Sequence, residues 1–136
     1  MNYRVTVNNY KEDKYYSKVV RAVNEILNTK KTVRSTDIFK LTGMLSEINF
    51  KKWQSGQVTY LERVIECNLS KANRILSILS FHAHDLNMAK SNNYIKYKGK
   101  VLRYTKSGAK KSEELYARQF NINGKSVNSQ SVVRPQ

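Results

Sequence analysis

The stretch that decides the fold begins Asn68-Leu69-Ser70-Lys71-Ala72-Asn73-Arg74-Ile75-Leu76 and runs on through Leu79, Ala83 and Leu86. Ala72, Leu76, Leu79 and Ala83 recur at helical spacing, and the Ser70 hydroxyl can accept a hydrogen bond from a first-turn backbone N–H. The pattern predicts a helix over 70–87. Just upstream, Thr59-Tyr60-Leu61-Glu62 fits a capping box, in which the Thr hydroxyl and the Glu carboxylate satisfy backbone donors reciprocally. That predicts a helix over 59–67, with a tight turn at Asn68-Leu69 between the two. A single coiled-coil helix is the competing reading, but its charged flanks are weak here.

Outward from this pair, Tyr94-Ile95-Lys96-Tyr97 and Lys100-Val101-Leu102-Arg103-Tyr104-Thr105 flank Lys98-Gly99. The glycine supplies the positive φ of a two-residue hairpin turn, which pairs Lys96 with Val101 and Tyr97 with Lys100. Residues 87–93 read as a loop, and Leu115, Tyr116 and Phe120 mark a last helix over 110–120. Toward the N-terminus, Val19, Val20, Val23, Ile26 and Leu27 give a first helix over 17–27. Ser35 or Thr36 caps a second, stopped by Gly43. Ser46 starts a third that ends near Trp53 and is closed by Gly56.

Helix, turn, longer helix, basic hairpin, and then Thr105-Lys106-Ser107-Gly108 leading into a closing helix is an order that resembles winged helix-turn-helix DNA-binding proteins. Leu69–Leu76 resembles the start of a recognition helix, and Leu102–Gly108 the strand leaving the wing. The resemblance implies a mainly α single domain with a small β-hairpin over 17–120. Residues 1–16 are then an N-terminal arm or short strand, and 121–136 a flexible tail. The stretch from Trp53 through Ile65, with Asn68-Leu69-Ser70-Lys71 and Arg103–Gly108, also resembles small bacterial proteins of unassigned function.

The 136 residues carry 25 Lys+Arg against 10 Asp+Glu, a formal charge of +15. Residues 1–58 hold 11 positive and 5 negative charges, 59–93 hold 4 and 3, and 94–136 hold 10 and 2. A nearly neutral middle thus lies between two basic ends. Such an excess opposes compaction slightly and favours a polyanionic partner. The 40% of apolar residues excludes a chain disordered throughout, and no apolar run reaches the roughly 18–20 residues of a membrane span. The sequence opens on no signal-peptide pattern, and the one cysteine, Cys67, forms no internal disulfide; a cytoplasmic setting is expected.

With Ala72, Leu76, Leu79 and Ala83 inward, helical spacing puts Ser70, Asn73, Arg74, Ser77, Phe81 and His84 outward. Arg74 then suits guanine and Asn73 adenine in a major groove, Ser77 lies beside them, and Lys71 reaches phosphate. Lys96, Lys98, Lys100 and Arg103 on the wing, with Lys106, Lys110 and Lys111 behind it, supply the charge. A second candidate surface is Lys51, Lys52 and Gln54 on the third helix. Tyr94, Tyr97 and Tyr104 interleave with the wing lysines, an arrangement that also suits stacking on unpaired bases, although packing is the expected role of Tyr97 and Tyr104.

Enzyme signals are weak. His82 and His84 stand two apart, point to different sides of a helix and read as surface residues rather than metal ligands. Cys67 reads as a small buried hydrophobe, the five glycines form no phosphate loop, and the carboxylates are dispersed. The expectation is a non-catalytic nucleic-acid-binding protein without cofactor. Duplex DNA is favoured, and the role is regulator or accessory factor of a bacterial or phage mobile element, with a homodimer as one candidate assembly. The alternatives are a basic interaction module or inhibitor docking on an acidic protein partner through Trp53, Phe81 and the tyrosines, and binding of RNA or single-stranded DNA.

Overall fold

In the computed structural model, which describes residues 5–122, the stripe read from Ala72 to Ala83 becomes the axis of the fold. The helix that carries it, α4 below, spans Leu69–Asp85. Its Ala72, Ile75, Leu76, Ile78, Leu79 and Ala83 are all buried. Its N-cap is Asn68 rather than Ser70: the Asn68 Oδ1 accepts from the Lys71 N–H at 2.8 Å. Three helices precede it: α1 (Tyr16–Leu27), α2 (Ser35–Leu41) and α3 (Glu47–Gln54). These lie where the apolar spacing places them, but neither Ser35 nor Thr36 caps α2: the N-cap is Arg34, and the buried Ser35 hydroxyl donates to the Leu115 and Arg118 carbonyls. Ser46 caps α3 by accepting from the Asn49 N–H, and Gly43 and Gly56 both turn the chain at positive φ.

The expected helix over 59–67 does not form. Only a single 3-10 turn, Leu61–Val64, stands there, because its groups have distant partners. The Leu61 and Glu62 N–H groups donate to the Arg103 and Tyr104 carbonyls at 3.2 and 2.8 Å. The Glu62 carboxylate, instead of capping a helix, accepts from the Lys106 N–H and the Tyr116 hydroxyl.

A second correction concerns the sheet. Residues 87–93, expected as a loop, contain strand β2 (Ala89–Asn92), and the expected helix over 110–120 stops at Ala117. Past α5 (Lys110–Ala117) the chain becomes the strand Arg118–Asn121, called β5. With β1 (Thr32–Arg34) it makes a three-stranded antiparallel sheet in the order β1-β5-β2. Register places Phe120 opposite both Val33 and Lys90, so its ring enters the core with Val33. The hairpin β3 (Lys96–Tyr97) and β4 (Lys100–Val101) has the expected pairing, and Lys98 and Gly99 turn it at φ 51° and 80°.

The result is a small α/β domain of five helices with small antiparallel sheets among the described residues. Of the expected arm, residues 5–15 contain no strand; instead Tyr10 packs on Phe81 with ring centroids 5.4 Å apart, and Tyr10 and Asp13 are buried. The expected tail lies outside the described residues beyond Ile122, while Asn121 belongs to β5. Among the described residues no helix is long and apolar enough to cross a membrane.

A run of rings ties the elements together. Trp53 lies 4.8 Å from Tyr104, Tyr104 lies 6.3 Å from Tyr116, and Tyr116 stacks on Phe39 at 5.9 Å. The Trp53 indole N–H donates to the Arg103 carbonyl at 2.8 Å. Trp53 is wholly enclosed and offers nothing to a docking partner.

His82, read as a surface residue, is in fact 7% exposed, edge-on to the Tyr16 ring at 6.0 Å. Neither of its ring nitrogens has a hydrogen-bond partner among the described residues. Burial therefore pushes its basicity below the ordinary value of 6.5. The unfolded chain binds the His82 proton more readily, so stability is full above about pH 6.5 and is lost as pH falls below it. Urea midpoints should accordingly drop between pH 7 and pH 5, and His82→Leu should flatten that drop; an equal slope in both proteins would refute the assignment.

Candidate nucleic-acid interface

On α4 one row of side chains outside the core falls at steps of three and four residues, Ser70, Asn73, Ser77, Ser80 and His84, with Lys71, Arg74, Phe81 and Asp85 beside it. Ser70, Asn73 and His84 are exposed; Ser77 and Ser80 are half-buried. The stripe consists of hydroxyls, an amide and an imidazole, all able to form directional hydrogen bonds. Positive charge comes from the walls on either side.

One wall is built around Tyr15. The Lys14 and Lys71 ammonium groups lie 5.3 and 5.2 Å from the centre of its ring, and the Arg74 guanidinium carbon lies at 5.2 Å. Arg74 does not face a groove: its Nε donates to the Asp13 Oδ2 at 2.9 Å. The Asp13 side chain is 0% exposed, and its other oxygen accepts from the Tyr15 N–H. Fixed to a buried carboxylate and laid against a ring, Arg74 holds the start of α1 against α4. Of the lysines beside it, Lys14 is exposed and Lys71 half-buried.

The opposite wall is the turn that opens α5. The Glu113 carboxylate accepts from the Tyr104 N–H, the Thr105 N–H and the Thr105 hydroxyl at 2.9, 2.7 and 2.6 Å. The Thr105 hydroxyl oxygen in turn accepts from the Gly108 N–H, at the positive φ of Gly108. Glu62 fixes the backbone of Lys106 and leaves its side chain exposed. Asn73, Lys106, Ser107 and Ser112, together with Glu62, then line one depression of about 490 Å3. Two residues far apart in sequence, Asn73 and Lys106, are thereby brought to one place.

The hairpin stands elsewhere. Lys96, Lys98 and Lys100 are exposed, and the Tyr97 ring lies so close to Gly56 that a Cβ there would meet it at 2.8 Å. Gly56 is thus required both for its positive φ and for this approach. The hairpin docks on the loop after α3, whose last turn carries Lys51 and Lys52, so the two surfaces treated as rivals in the sequence are neighbours. Arg103 is tied down: its Nε donates to the Thr105 carbonyl and its guanidinium covers Tyr60.

Lys14, Tyr15 and Ser112 join the site without a sequence signal, because each meets α4 only through tertiary packing. Cys67 is half-buried, and burial pushes its thiol above the ordinary value, which leaves it a weak nucleophile. His82 and His84 diverge, and among the described residues no three metal-ligating side chains come together. Comparison with models of protein families, with curated proteins and with solved structures finds no match.

Proposed function

We propose that this chain binds nucleic acid without catalysis, duplex DNA before other forms, with α4 as the element that enters the major groove. The observation that carries this reading is the hydrogen-bonding row at the N-terminal half of α4, Ser70, Asn73 and Ser77, between Lys14 and Lys71 on one side and Lys106 on the other. An asparagine or a hydroxyl can read base edges while flanking cations hold phosphate, and the stripe supplies the first and its walls the second. Asn73 takes the adenine-reading role, and Arg74 the structural one.

The order of elements supports the same reading. With α3, the 3-10 turn, the β3–β4 hairpin and α5 set aside, the order α1, β1, α2, α4, β2, β5, with β1 beside β5, resembles that of a winged helix-turn-helix. The β3–β4 hairpin and α5 then belong to a long wing between β2 and β5, and α3 with the 3-10 turn lies between the second and third helices. A regulator or accessory factor of a mobile element remains the biological role we propose.

Nuclease-treated protein titrated onto labelled duplex DNA, single-stranded DNA and RNA at several salt concentrations tests this. Duplex binding should weaken steeply with salt, and the Lys71→Ala, Lys106→Ala pair should lower the logarithmic slope by about 1.8, roughly 0.9 for each phosphate lost. Asn73→Ala should cost about 1–3 kcal/mol of discrimination at one base position and leave the slope alone. A preference for single strands would transfer the site to the exposed Tyr94 and Tyr97. Failure to bind any of the three at low salt would overturn the reading and leave an acidic protein as the partner for the basic surface.

A further inference from the structure

At the C-terminal end of α4 a second depression, of about 310 Å3, opens between the helix, β2 and β5. Val7, Phe81, Met88 and Phe120 form its apolar part, with Phe120 buried, Phe81 and Met88 half-buried and Val7 exposed. Strand geometry explains the rest. Lys90 pairs directly with Phe120, and Arg118 lies two residues before Phe120, so all three project from one face of the sheet. Ser80 and His84 face them from α4.

The lining therefore combines an apolar floor with an ammonium, a guanidinium and an imidazole, and it contains no carboxylate. The Nε of Arg118 is shut off from solvent with no hydrogen-bond partner among the described residues. That nitrogen is closed to a ligand as well, so an anion in the depression meets the guanidinium at its outer nitrogens. The volume is that of a small-molecule site, in which a few placed polar groups orient a mostly apolar ligand.

We propose that this depression binds a small amphipathic anion, a carboxylate carried on a hydrocarbon or aromatic body. Its carboxylate is held by Arg118 and Lys90, in charge-assisted hydrogen bonds, and its apolar body covers Phe81, Met88 and Phe120. The proposal does not depend on nucleic-acid binding and is tested without it.

Full-length protein labelled with 13C at the methionine methyls carries its own control, because Met88 lines the depression and Met44 is buried away from it. Octanoate, octanol and inorganic phosphate serve as probes. Octanoate should shift the Met88 methyl saturably and leave Met44 in place. Octanol should bind at least about tenfold more weakly, the worth of one charge-assisted hydrogen bond, and phosphate should leave Met88 unmoved. Arg118→Gln should reduce octanoate to the level of octanol. Should that variant fail to fold, Lys90→Gln, at an exposed position of an edge strand, should weaken octanoate in the same direction. The proposal is overturned by an unmoved Met88, by equal binding of octanoate and octanol, by a phosphate response as strong as that of octanoate, or by a parallel shift of Met44.

Discussion

Arg74→Ala should cost the fold about 3–5 kcal/mol and leave the base preference of any bound duplex unchanged. The magnitude follows from what is left behind. With the guanidinium gone, the Asp13 carboxylate stays wholly buried with the Tyr15 N–H but without its ion-pair partner. Desolvating a lone carboxylate is the expensive half of a buried pair. The reverse change, Asp13→Ala, should cost less, about 2–3 kcal/mol. Arg74 is 25% exposed, can recover some hydration, and keeps its place against the Tyr15 ring. The double variant should therefore be more stable than the sum of the two losses implies. Urea unfolding of the four proteins measures all three quantities. A loss below about 1 kcal/mol for Arg74→Ala, together with an altered base preference, would return Arg74 to the base-reading role that helical spacing alone suggests.

That contrast also shows what kind of information the sequence carries. α1, α2, α3, α4 and the β3–β4 hairpin are legible because their determinants are local: apolar residues at helical spacing, Ser46 as a cap, and Lys98-Gly99 as a turn. The elements that are not legible are those set by distant partners. Thr59–Glu62 has the spacing of a capping box, yet the Glu62 carboxylate is taken by Lys106 and Tyr116, more than 40 residues away. Ala89-Lys90-Ser91-Asn92 shows no apolar alternation because all four residues are exposed on an edge strand. Only the pairing with β5 makes it a strand.

The candidate site divides in the same way. The outward stripe of α4 follows from the spacing of its buried residues, so Asn73, Ser77 and Lys71 are found from sequence. Whether an outward arginine meets solvent depends on what packs beside it. For Arg74 that is Asp13, 61 residues earlier. Lys106 gains its position through Glu62 and Glu113, neither of which a reading of charge alone singles out. His82 follows the same logic: its place on the helix is legible, but its enclosure by Tyr16 is not.

Glu113→Ala should be the other severe substitution, with a loss of about 4 kcal/mol. Its carboxylate is the acceptor for two backbone N–H groups and one hydroxyl, on Tyr104 and Thr105, each of which is 2% exposed. Buried donors left without acceptors cost about 1–3 kcal/mol each, and water has little access to replace the carboxylate here. Glu113→Gln keeps one acceptor oxygen and should lose about half as much. The damage should spread in a defined direction. Tyr104 is part of the ring series from Trp53 to Tyr116, so the hairpin exit and the start of α5 should loosen together. Hydrogen exchange at the Tyr104 and Thr105 amides should accelerate in both variants, while amides in the middle of α1 keep the rate set by global stability. Because the same turn presents Lys106 beside Asn73, Glu113→Gln should also weaken duplex binding under conditions in which the protein is fully folded. That is the distinguishing result: unchanged binding by folded Glu113→Gln would separate the wall at Lys106 from the nucleic-acid surface and leave Lys14 and Lys71 to anchor α4.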